Sequence, residues 1–136
     1  MKEKYVSAFL DMAERFGQTS EATRLKVGAL IVRDGKILSC GCNGQPPGWS
    51  FEFCEDDEGN TLKSVRHAEV AALEKLWQST ETATGAAMFI SHAPCKECCI
   101  KMLTAGIEKV YYKHPYRLAD GIEYLRLKGV EVIQYA

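Results

Sequence analysis

Two short segments constrain this chain more than any other feature: His67-Ala68-Glu69 and Pro94-Cys95-Lys96-Glu97-Cys98. Cys95 and Cys98 are three apart, so on a helix their thiols share one face and can bind one ion. His67 and Glu69 are two apart, and on a continuous helix they would point in nearly opposite directions. They converge only if the pair straddles a helix start, with His67 at or before the first helical residue. The fold must therefore bring two helix N-termini, each fed by a strand or loop, to one point.

The rest of the chain supplies elements of the right kind. Tyr5, Ala8, Phe9, Met12, Ala13 and Phe16 recur at three- and four-residue spacing, which predicts an amphipathic helix ending near Gly17. Val27 to Val32 and Ile37 to Cys40 flank Asp34-Gly35, a two-residue hairpin signal. Residues 43–66 have no clear period and carry Gly, Pro and an acidic cluster, Glu55 to Glu58, which reads as a solvated turn. Val70, Leu73 and Trp77 mark a second helix, and Ala87 to Ile90 a third strand. Cys95 to Ala105 suits a third helix closed by Gly106, followed by strand Lys109 to Tyr112. Leu118, Ile122 and Leu125 mark a fourth helix stopped by Gly129, before a last strand from Val130 to Tyr135. Helices alternating with the later strands imply an α/β fold in one domain spanning residues 1–136, and a helical crossover favours a parallel final pair.

Composition narrows the function classes. Seventeen Lys and Arg stand against 18 Asp and Glu, a balance without the basic footprint of duplex nucleic-acid binding. No stretch approaches the roughly 20 apolar residues of a membrane span, and the N-terminus lacks a signal-peptide core. Six cysteines without a secretion signal point to a reducing compartment, hence to metal binding or packing rather than disulfides; the expectation is a cytoplasmic protein.

Three protein ligands leave a tetrahedral zinc ion one open position, the mark of a catalytic rather than a structural site. Cys99, the nearest candidate fourth ligand, adjoins Cys98 and points about 100° away on a helix, so it reads as core. The combination His-x-Glu and Pro-Cys-x-x-Cys is the zinc-deaminase signature. In it the Glu carries protons and water attacks the amine-bearing ring carbon.

With these motifs the chain resembles the cytidine and deoxycytidylate deaminase superfamily over nearly its whole length. Lys26-Val27-Gly28-Ala29, Asn43-Gly44, His67-Ala68-Glu69, Ser91-His92-Ala93-Pro94-Cys95, Ala105-Gly106-Ile107, Tyr116-Arg117 and Asp120-Gly121-Ile122-Glu123 look most like phage and bacterial deoxycytidylate deaminases. The resemblance implies a three-layer α/β/α fold with a five-stranded mixed sheet whose last two strands are parallel. It implies one zinc per chain on His67, Cys95 and Cys98, Glu69 as catalytic residue, and conversion of dCMP to dUMP for thymidylate synthesis. Asn43, Arg24, Lys26, Ala68 and Tyr116 are then the expected substrate-binding residues, with Arg24, Lys26 and Tyr116 on the phosphate side. A homo-oligomer, up to a hexamer, is expected as well. His92 could face the pocket or turn away, and Trp49, Phe51 and Phe53 could wall the pocket or pack subunits.

Departures from the family bear on regulation. Gly41-Cys42-Asn43-Gly44 has Cys42 where longer members that bind regulatory dCTP or dTTP have Tyr. Ala22 stands about where some phage members place a Cys for a second zinc. The alternatives that the residues leave open are deamination of dCTP, of a 5-substituted dCMP or of a base in a single strand, and a non-catalytic binding relative.

Overall fold

The structure is a computed structural model that describes residues 1–115 and 118–135; Tyr116 and Arg117 lie outside the described residues. Its elements run α1 (Glu3–Gly17), β1 (Gly28–Arg33), β2 (Lys36–Cys42), α2 (Ala68–Leu76), β3 (Ala87–His92), α3 (Lys96–Thr104), β4 (Lys109–His114), α4 (Asp120–Leu127) and β5 (Glu131–Gln134). The strands form one sheet in the order β2-β1-β3-β4-β5. β1 pairs antiparallel with both β2 and β3, while β3–β4 and β4–β5 are parallel.

The hairpin forms at the expected place. Asp34 and Gly35 both take positive φ, 53° and 74°, the conformation of a tight two-residue turn whose twist matches its strands. Because strand side chains alternate faces, the sheet serves two cores. Leu30, Val32, Phe89 and Tyr111 face α1 and pack with Val6, Leu10 and Ala13. Ala29, Ile31, Met88, Ile90, Val110 and Tyr112 face the opposite layer with α2, α3 and α4. The architecture is thus three layers, α/β/α, as the resemblance implied.

The apolar stripes of three helices differ from the sequence reading. The buried face of α1 is Val6, Leu10, Ala13 and Gly17, whereas Tyr5 and Met12 are nearly half exposed. This face wins because α1 crosses β1 backbone to backbone. A Cβ on Gly28 would lie 1.8 Å from the Ala13 carbonyl oxygen, and one on Gly17 2.7 Å from the Gly28 nitrogen. Trp77 is not on the buried stripe of α2 but at its C-cap, 78% exposed; Ala68, Ala72, Leu73 and Leu76 fill the interface instead. Leu118 is likewise exposed and precedes α4. Large apolar side chains mark a helix by their spacing, but close packing selects the small ones.

Candidate metal centre and nucleotide pocket

The convergence required by the sequence is met at the two helix starts. His67 is the N-cap of α2, with extended φ and ψ of −71° and 156°, and Glu69 lies in the first turn. Cys95 is the N-cap of α3, also extended, and Cys98 lies one turn in. Each cap carbonyl accepts the first helical bond, Ala71 N–H to His67 and Cys99 N–H to Cys95, both at 3.0 Å. Helix N-termini carry partial positive charge, which favours a thiolate there.

Neighbouring segments set the position of each start. Gly44 and Arg66 exchange backbone hydrogen bonds of 3.1 and 2.8 Å, fixing the chain just before His67. Arg66 also pairs with Glu74 of α2. Gly41 of β2 lets α2 sit close, since a Cβ there would come within 2.6 Å of both the Ala68 oxygen and the Ala72 nitrogen. Behind Cys95, Gly121 of α4 leaves room for Pro94 and Cys99 in the same way.

His67 Nδ1 lies 3.2 Å from Cys98 Sγ and 3.5 Å from Cys95 Sγ, and the three donor atoms all lie within 4.8 Å of one another. Tetrahedral zinc with bonds of about 2.0 Å to nitrogen and about 2.3 Å to sulfur sets those N···S separations near ~3.5 Å. The donor set therefore fits the ion in both chemistry and spacing. Cys99 is fully buried with its sulfur turned to the Pro94 carbonyl, so it packs in the core, and burial pushes its thiol up to about 12.

The titratable groups gathered here shift one another. The Cys95 thiol is pulled down to about 4, chiefly by its hydrogen bond with Cys98 and then by His67, against the opposing effect of burial. Cys98 is shifted upwards by that same hydrogen bond, by burial and by the Glu69 charge. Cys95 holds the His67 pKa above its usual value, burial notwithstanding. Glu69, only 4% exposed, has its carboxyl raised by burial despite the nearby His67.

Beside the donors opens a pocket of about 480 Å³, within the ~300–1,000 Å³ usual for small-molecule sites. Glu69, Ala68, Asn43 and Arg24 all line it. Lys26 does not; its ammonium donates to the Ser20 carbonyl. Asn43 fastens the wall: its Oδ1 accepts the Val27 N–H at 2.9 Å and its Nδ2 donates to the Leu25 carbonyl at 2.7 Å. Tyr116 lies outside the described residues.

Several residues of the site were not legible from spacing. Ser91, 1% exposed, accepts the Gly28 N–H at 3.0 Å and shares a 2.9 Å hydrogen bond with His92 Nδ1. His92 lines the pocket, its ring 4.9 Å from His114, and burial followed by that neighbour lowers its pKa. The acidic cluster splits. Asp56 closes a turn by accepting the Glu58 and Asn60 amides, but Glu55 lines the pocket and takes hydrogen bonds from Thr23 and Arg24. Desolvation tends to raise the Glu55 pKa, yet these hydrogen bonds prevail and hold it below the ordinary value. Only the tertiary pairing of residues 20–27 with the 43–66 loop gives Glu55 this place. Trp49, Phe51 and Phe53 do not line the pocket; Phe51 and Phe53 stack at 4.2 Å, and Trp49 and Phe53 are about half exposed.

Comparison with known proteins follows the same lines. Residues 2–114 match the family model of the cytidine and deoxycytidylate deaminase zinc-binding region. The crystal structure of the dCMP deaminase from cyanophage S-TIM5, in complex with dCMP and dUMP, superposes with a TM-score of 0.96. It is 42% identical and 99% of each chain is covered. A deaminase encoded in the luxG 3′ region of Aliivibrio fischeri is 33% identical over 82% of this chain and 74% of its own length. The deoxycytidylate deaminase of Mycobacterium phage D29 is 32% identical over 76% of this chain and 90% of its own. The chain spans only 43% to 61% of several longer curated relatives.

Proposed function

Because the chain belongs to the zinc-binding family of cytidine and deoxycytidylate deaminases, we propose that it hydrolyses dCMP to dUMP and ammonia. The observation that carries this reading is the match, end to end, with a phage enzyme crystallised with dCMP and dUMP. His67, Cys95 and Cys98 would hold one zinc ion, which when bound makes water a nucleophile at neutral pH.

The chain's own residues do the rest. Glu69 lines the pocket with its carboxyl pKa raised by burial, the direction that suits a group that must take a proton and give it back. It would carry the proton from water to ring nitrogen 3 and then help protonate the departing amine. Ala68, fully buried beside it, presents backbone rather than bulk to the base. Asn43 orients the Leu25–Val27 wall, and Arg24 reaches the phosphate; Tyr116 completes the proposed phosphate side, while Lys26, held by the Ser20 carbonyl, stays off it.

The same reading takes residues 1–136 as one deaminase domain working as a homo-oligomer, up to a hexamer, in the cytoplasm. Exposed Trp49, Phe53 and Trp77 offer apolar surface for self-association. Among the described residues, no helix is long and apolar enough to cross a membrane.

Loss of cytosine absorbance on adding zinc-loaded protein to dCMP, deoxycytidine and dCTP in parallel tests the proposal. Turnover of dCMP well ahead of the other two supports it. Equal turnover of all three overturns the monophosphate reading, and no turnover of any overturns the activity.

A further inference from the structure

Residues 20–27 form an irregular segment that puts Arg24 on the pocket wall. Asn43 pins its far end through Val27 and Leu25. Glu55 pins the near end: its Oε1 accepts the Thr23 hydroxyl at 3.0 Å, and its Oε2 accepts the Thr23 and Arg24 amides at 3.1 and 3.2 Å. Two successive amides converging on one point form a concavity suited to an anion. Here the chain fills that concavity with its own carboxylate. Glu55 is firmly placed for the task. It forms an isolated bridge with Thr61, and the preceding Cys54, fully buried, accepts the Leu62 N–H at 2.8 Å.

Two consequences follow for a nucleotide. With the amides occupied, the phosphate must use the Arg24 side chain, which makes no hydrogen bond or ion pair among the described residues. Arg24 is also the one Lys or Arg side chain among the described residues that line the pocket. On the same wall, each phosphate beyond the first adds negative charge next to a fixed carboxylate, with no second Lys or Arg among those residues to offset it.

We propose that Glu55 limits this pocket to a single phosphate, by fastening the Arg24 segment and by setting its own charge against any further phosphate. The proposal rests on the nucleotide reading above. It makes Glu55 a positioning and specificity residue with no part in the chemical step: discrimination comes from repelling the wrong ligand as well as from holding the right one.

The test compares binding of dUMP and dUTP to the zinc-loaded protein by titration calorimetry, with dCMP turnover measured on the same samples. The wild-type protein should bind dUMP at least tenfold tighter than dUTP. Glu55→Gln should narrow that ratio by about tenfold, equivalent to about 1.4 kcal/mol, and Glu55→Asp should restore it. Thr61→Lys, which adds a cation to the wall without removing any Glu55 hydrogen bond, should narrow the ratio in the same sense even if Glu55→Gln folds poorly. A ratio unchanged in folded Glu55→Gln overturns the proposal, as does one unchanged in Thr61→Lys where Glu55→Gln fails to fold, or an equal loss of both ligands in Glu55→Gln. Wild-type protein that shows no preference for dUMP, or binds neither ligand, overturns it too. Absent dCMP turnover would sink the deamination reading separately, while the binding ratio still judges Glu55.

Discussion

Replacing Gly121 with Ala sets two effects of known size against each other. Gly121 lies in the first turn of α4, and its φ is not positive, so an alanine fits the backbone. Helix propensity alone then predicts a gain of about 0.5–1 kcal/mol. Packing predicts the reverse. The new methyl carbon would lie 2.9 Å from Cys99 Sγ, 2.9 Å from the Pro94 carbonyl oxygen and 3.0 Å from the Cys95 carbonyl carbon. The thiol can rotate away, but the other two atoms are backbone, so the loop that presents Cys95 must move by a few tenths of an ångström. Overpacking of this kind costs about 1–3 kcal/mol. The net result is a loss of up to about 2.5 kcal/mol, with the helix gain subtracted. For a chain of this size, each kcal/mol lowers Tm by roughly 3–5 °C. Because the displaced atoms carry a proposed ligand, zinc affinity should fall by about 10–100-fold, as when supporting groups of a metal site are altered. Thermal unfolding of the zinc-free protein and competition with a chromophoric chelator measure the two effects. A raised Tm together with unchanged zinc affinity would refute the packing argument and show that helix propensity outweighs the crowding.

Three further outcomes are expected. Glu69→Gln should retain one zinc per chain by elemental analysis while kcat for dCMP drops by about 10²–10⁴-fold; retained activity would remove Glu69 from the mechanism. Asn43→Ala breaks the hydrogen bonds to Val27 and Leu25, and should cost about 1–3 kcal/mol in urea unfolding and raise the KM for dCMP. An unchanged midpoint and KM would show that the wall stands without it. Glu55 accepts the Thr23 and Arg24 amides best as a carboxylate, and its folded pKa lies below the ordinary 4.5. The contribution of these bonds is therefore full above that ordinary value and is lost as pH falls through the lowered folded one. Hydrogen exchange of the two amides, corrected for intrinsic rates, should show protection at pH 6 that disappears at strongly acidic pH. Protection that persists there would mean that the segment is held by other contacts.

The metal donors were legible in the sequence because their constraint is local. Cys95 and Cys98 are separated by one helical turn, and the two-residue step from His67 to Glu69 has one way to converge, across a helix start. The Asp34-Gly35 hairpin and the order of helices and strands were local in the same sense, set by turn chemistry and by periods of two or 3.6. What the sequence left open depends on contacts between distant segments. Whether His92 faces the pocket follows from the register of β3 against β1 and from the Ser91 bond to Gly28, 63 residues away. That Lys26 is tied to Ser20 while Arg24 lines the pocket, and that Glu55 is a pocket wall rather than a solvated turn, follows from how residues 20–27 dock on the 43–66 loop. The buried face of α1 and the exposure of Trp77 were set by the approach of Gly17, Gly28 and Gly41 to neighbouring backbone. Ligand spacing and turn type are written in nearest neighbours along the chain. Which polar group faces substrate depends on packing across it, and that is decided only when the layers close.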